Sequence, residues 1–361
     1  MANPYPYNDD LLTTPEDRAQ AAASFGAVAR ALYFPELVKR FQHADSIANA
    51  SKREMRRRGL WSVGLVTIAL VIASAAPQYH HYHWLSVSMM VTSAVAGIIG
   101  GLVGIGLGSS RYKMQWLEER LVTESLRQLH FRLLLSLAPD IITATTSGRW
   151  ETFEGKRIAA LGAFDQNVLK RKADVLQIIT DKPEQDPIVF GTNFPDAVIF
   201  GDLQGEQLLA AYQELRILRQ RQYAEHKLSR RSGAIWTSPM RQVIALSIAA
   251  FTCVGVLFLL HIASAGMLTW DEGDQIGPWL HVAAVWTAFV ALALRALEEG
   301  LKPRAEVERY RHYHLTARRA DERYRQSDAA GKIATARSFE NEATDEMALF
   351  LRANAEARFS I

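Results

Sequence analysis

GLWSVGLVTIALVIASAAPQYHHYHWLSVSMMVTSAVAGIIGGLVGIGLG, running from Gly59 to Gly108, contains two apolar segments and not one Asp, Glu, Lys or Arg. At about 1.5 Å per helical residue, residues 59–77 and 85–108 are each long enough to cross a hydrocarbon core of roughly 30 Å. The PQYHHYH between them suffices only for a tight turn, so the stretch reads as a membrane hairpin. The pattern recurs at residues 242–262 and 276–294, again without a charge inside either span, and here the connecting loop carries Asp271, Glu272 and Asp274. The expected fold is an all-α integral membrane protein with four transmembrane helices in two hairpins and long cytosolic helices between them.

The mean hydropathy of −0.05 hides this, because four apolar blocks are averaged with segments dense in Arg, Glu and Gln. Of 361 residues, 41 are Lys or Arg and 38 Asp or Glu, a net charge of only +3, which does not favour nucleic acid as a partner. The lone cysteine, Cys253, lies in a span and rules out an intramolecular disulfide. No cleavable signal precedes the first span, which is expected to remain as an anchor.

Met1 to Thr14 lacks periodicity and reads as a loose tail. Thr14 followed by Pro15, Glu16 and Asp17 is an N-cap, a proline at the first helical position and acids in the first turn. A second helix restarts at Pro35 and runs into the first span through Lys52, Arg53, Arg56, Arg57 and Arg58. Past the second span, Arg111 to Pro139 forms a further helix with Met114, Leu117, Leu121 and Leu129 as its apolar stripe. Residues 139–205 are harder to read: KRIAALGAFDQNVLKRKADVLQII is helical, whereas PIVFGTNFPDAVIF alternates as short strands or extended loop do. Helix, hairpin and helix then repeat, with a break at SDAAGK before the last helix. The expected division is thus a tail at 1–14, a first unit at 15–138, an insert at 139–205 and a second unit at 206–361, the two units being copies of one two-span design.

Every basic flank lies before the first and third spans or after the second and fourth, and the two hairpin loops have no Lys or Arg. By the positive-inside rule both termini are cytoplasmic, in a multi-pass protein of the inner (plasma) membrane. Trp61 and Trp236 fall near the inner boundary, and Trp84, Trp270 and Trp279 near the outer, at headgroup depth.

The candidate functional residues are glycines. Gly97, Gly101, Gly104 and Gly108, spaced four, three and four, share a helical face on which another helix can pack closely. Gly100 with Gly101 also offers a hinge. GLVGIGLGSSRYK lacks the preceding strand and the directly following Lys of a phosphate cradle. His80, His81 and His83 have no Cys, Asp or Glu nearby to complete a metal site and read as an interfacial turn. His261 and His281 flank the second outer loop and are expected to be hydrogen-bonded. The spans contain no ionisable pairs of the kind that pumps carry at depth. No catalytic constellation stands out, so no enzyme activity, cofactor or metal is expected.

Trp116 to Gln128, with its W-LEERL-TESLRQ pattern, together with YQELRILRQRQYAEHK and the closing ENEATDEMALFLRANAEARF, resembles the SLATT family, the SMODS- and SLOG-associating two-transmembrane effector domains. The resemblance extends over most of Leu32 to Phe359. It implies a homo-oligomeric membrane effector of a bacterial conflict, antiphage system, forming a pore or perturbing the bilayer when a sensor fires. No sensor domain is fused here, so the trigger is expected from a separate protein. The alternative is a non-conducting membrane anchor whose cytosolic helices dock partners.

Overall fold

The computed structural model describes residues 10–108, 111–181, 203–229, 238–267, 276–357 and 359, with the side chains of 105, 107, 108, 264–267, 276 and 277 left aside. Among the described residues the chain is helical and has no strand. The order begins α1 (Pro15–Phe25), α2 (Ala29–Leu32), α3 (Pro35–Ala75), α4 (His83–Gly108), α5 (Arg111–Ser136), α6 (Ala138–Ser147) and α7 (Glu151–Asn167). It continues with α8 (Lys172–Asp181), α9 (Leu203–Tyr212), a π-helical turn (Gln213–Leu218), α10 (Arg219–Leu228), α11 (Pro239–Met267), α12 (Ile276–Leu301), α13 (Pro303–Gln326) and α14 (Ala329–Ala355). Among the described residues, four helices are long and apolar enough to cross a membrane, within 35–79, 83–104, 239–263 and 278–326.

The residues gather into two compact units, each assembled from separate stretches of chain: one from 1–50, 115–232 and 307–355, the other from 51–114, 233–306 and 356–361. This partition cuts across the serial division into 15–138, 139–205 and 206–361. Chemistry explains it: charged amphipathic helices share one core, and apolar helices keep to one another whatever their order in the chain.

In the first unit, Leu37, Leu126, Phe131, Tyr212 and Phe339 belong to one continuous core. Ile141, Phe153, Leu161 and Phe164 join it, so the part of 139–205 that is described is helical and built into this unit. The segment expected as one helix divides at Leu169–Arg171 into α7 and α8, and PIVFGTNFPDAVIF lies outside the described residues. The tail also needs correcting at its end. Asp10, Leu11 and Leu12 are fully buried, because Leu11 and Leu12 complete the core and Asp10 answers buried arginines. Beyond them, the Thr14 hydroxyl caps α1 by accepting from the Asp17 amide at 3.1 Å.

In the second unit, α3 and α4 pair antiparallel through serines in heptad register. Ser62 Oγ donates to the Gly100 carbonyl at 2.8 Å, Ser93 Oγ to Ala69 at 2.8 Å, and Ser86 Oγ to Ala76 at 3.2 Å. Each step of seven along one helix is matched by seven back along the other. α11 packs along α12, and α12 meets α3 where Trp286 Nε1 donates to the Val71 carbonyl at 3.1 Å. Outward faces are apolar: Phe251 is 81% exposed and Trp84 85%. Such a surface is uncompensated in water and satisfied by lipid.

Candidate functional site

The glycine face sits differently from its expected register. A Cβ at Gly97 would touch Ala69 at 3.6 Å, and one at Gly104 would meet Ser62 Oγ at 2.7 Å, so these two do face α3. Gly101 faces open space, and the side-chain position of Gly108 lies outside the described residues. The approach to backbone is at Gly100, where a Cβ would come within 2.9 Å of Val66 Cγ2 and 3.0 Å of the Val66 backbone nitrogen. The packed seam therefore runs through Ser86, Ser93, Gly97, Gly100 and Gly104. Within the hairpin it is Gly100 and not Gly101 that faces α3, because small serines, which a four-three-four glycine spacing does not register, set the seam.

A second glycine pair has no signature in the sequence. At the basic end of the spans the ring of Phe359 rests against Gly59 of α3, where a Cβ would approach to 2.7 Å, and more tightly still against Gly300 of α12. Lys113 Nζ donates to the Ala357 carbonyl at 2.9 Å, holding the same C-terminal segment. Gly300 would ordinarily suggest a helix terminus, yet it lies inside α12. The left-handed position that ends the helix falls to Lys302, at φ 45°, a conformation that costs a side-chain-bearing residue about 1 kcal/mol. Gly300 is thus reserved for the ring, and Pro303 starts α13 directly after the break. Glu306 closes the end by pairing with Lys52 Nζ at 3.3 Å and Arg56 Nη2 at 3.6 Å. No local pattern links residue 359 with 59 and 300, and the only available signal was an aromatic in a small, polar C-terminal segment.

The first unit holds a buried charge network around the π-helical turn. That turn buries Leu215, Arg216 and Ile217 consecutively, which a helix with a single apolar stripe does not do. Arg216 Nε and Nη2 donate to the two oxygens of Glu340 at 2.7 and 2.9 Å, and the Tyr212 hydroxyl donates to Glu340 at 2.9 Å. Asp10 accepts from Arg127 Nε at 3.2 Å and Gln220 Nε2 at 2.8 Å. Burial opposes the charge on Glu124, but Arg120, Arg127, Arg216 and Arg309 outweigh it and bring its pKa down to about 2. Burial likewise pushes the Tyr212 hydroxyl well above its usual range, reinforced by Glu340, so it remains a proton donor. Beside the turn lies a cavity of about 470 Å³ lined by Leu12, Phe25 and Leu215 with Asp17, Arg219 and Arg325.

His130 is neutral in this core. Burial, with Arg157 and Arg216 adding to it, lowers its pKa to about 3, and its Nε2 has no hydrogen-bond partner. The unfolded chain binds this proton near pH 6.5 and the folded chain does not, so stability falls as the pH drops below 6.5. Between pH 6.5 and pH 5, above the ordinary value for Glu124, the expected loss from His130 is roughly 1.5 to 2 kcal/mol. Thermal unfolding of the detergent-solubilised protein across that interval checks this, and His130→Gln should remove most of the slope.

Of the histidines considered as ligands, the rings of His80 and His81 are 3.8 Å apart, and His281 lines a cavity with Ser74 and Gln78. Among the described residues no group of three His, Cys, Asp or Glu is placed to hold a metal ion. No protein-family model matches the chain, and comparison with curated proteins and with solved structures finds no match either.

Proposed function

We propose that this protein is a membrane effector of a bacterial conflict system, held closed by the Phe359 segment and opened by a separate sensor. The observation that carries the reading is Phe359 seated on Gly59, at the start of the first span, and Gly300, near the end of α12. α14 ends at Ala355, only a few residues before that ring, so a partner that repositions α14 withdraws the aromatic from the glycine slot. Opening fully against a closed resting state requires the partner to prefer the open arrangement by several kcal/mol. The SLATT resemblance and the uncharged spans support the same reading. Assembly into a homo-oligomer supplies the pore lining.

Purified protein in vesicles tests it. Wild type should leak little, and Phe359→Ala should raise ion flux at least tenfold and depolarise cells on expression. A protein whose Phe359→Ala and wild-type forms are equally silent, and which instead retains a stoichiometric soluble partner, is the anchor.

The topology has its own test. With Cys253→Ala as background, cysteines at His81 and Gly273 should react with an impermeant thiol reagent added to intact cells. One at Glu308, whose side chain is 72% exposed, should react only after lysis. Labelling at residue 308 in intact cells reverses the orientation.

A further inference from the structure

The basic end of the second unit is charged in a way that topology alone does not require. All Lys and Arg of this unit lie outside the two hairpin loops, and one loop carries Asp271, Glu272 and Asp274 instead. On α3 the exposed residues Arg53, Arg57, Trp61 and Ile68 follow one another along a single face. Trp61 is 63% exposed and Ile68 54%. At 1.5 Å per residue Trp61 lies about 6 Å beyond Arg57, and Ile68 about 10 Å beyond Trp61. Cation, then aromatic, then aliphatic is the order of phosphate, glycerol and acyl chain in a lipid monolayer.

α5 begins beside this cluster with a further cation. The Arg58 guanidinium lies over the Tyr112 ring, 4.4 Å from its centre, with Nη2 3.4 Å from the hydroxyl, so Arg111 starts its helix near Arg58. Glu54 neutralises part of the cluster by pairing with Arg57 and Arg58, each at 2.8 Å. Among the described residues, Arg53 and Arg111 are exposed and carry no ion pair. Cations held at headgroup depth beside an exposed tryptophan have their charge complement in an anionic phospholipid.

We infer that Arg53, Arg57 and Arg111, with Trp61, form a recognition site for the headgroup of an anionic phospholipid such as phosphatidylglycerol. This rests on the spans lying in a bilayer and is independent of the effector reading. Full-length protein in detergent, titrated with phosphatidylglycerol or phosphatidylcholine and followed by native mass spectrometry and thermal unfolding, tests it. Phosphatidylglycerol should bind and stabilise, phosphatidylcholine should do neither, and raised salt should weaken the effect. Each arginine replaced by glutamine should weaken binding about fivefold, and Arg53→Gln/Arg57→Gln/Arg111→Gln on the order of a hundredfold. Arg318→Gln/Arg319→Gln on α13 should leave it unchanged. Equal binding of the two lipids by wild type, an unchanged affinity in the triple variant, or displacement of phosphatidylglycerol by inorganic phosphate at equal concentration each overturns the site. The wild-type comparison of lipids stands even if the triple variant does not fold, and ion flux plays no part in any of these readouts.

Discussion

Arg216→Met should destabilise the helical unit by about 3 to 5 kcal/mol, the largest single-residue effect expected in the protein. The side chain is 2% exposed and Glu340 is fully buried, so removing the guanidinium leaves a carboxylate whose remaining side-chain hydrogen bond, among the described residues, comes from the Tyr212 hydroxyl. Asp10 loses a cation 3.8 Å away but retains Arg127 and Gln220, which limits the damage on that side. The double variant Arg216→Met/Glu340→Leu should recover most of the loss, because the cost lies in the uncompensated charge more than in the missing attraction. Denaturation midpoints of the solubilised single and double variants decide it. A double variant no better than the single would mean that the pair itself supplies the stability.

Gly100→Leu should cost about 3 kcal/mol, the upper end for overpacking, and separate the first hairpin. The reason is steric: the nearest obstacles include the Val66 backbone nitrogen at 3.0 Å, which no rotamer change can move aside. Ser62→Ala removes only a hydroxyl bonded to the Gly100 carbonyl, and interhelical bonds of this kind in membranes average about 0.6 kcal/mol. Gly101→Leu, one residue on, should be silent in the solubilised monomer because its Cβ meets open space. Thermal unfolding with an engineered disulfide reporter across α3 and α4 distinguishes the three, and a mild Gly100→Leu would mean that the seam can open without penalty.

The four apolar blocks, their lengths, the turn at PQYHHYH and the basic flanks were legible because a bilayer imposes a length and a charge rule that act residue by residue. Helix starts at Pro15 and Pro35 were legible for the same reason, since caps and prolines act within one turn. The choice of Gly100 over Gly101 was not, because both lie on the same helix and only the serine register against α3 tells them apart. Asp10 looked like part of a loose tail, and it becomes buried only because Arg127, Gln220 and Arg216 arrive from distant helices to satisfy it. The slot for Phe359 is formed by residues 59 and 300, which local patterning cannot associate. Local propensity and solvent preference act along the chain and are written in it, whereas close approach and ion pairing depend on which distant residues meet, and only the tertiary structure decides that.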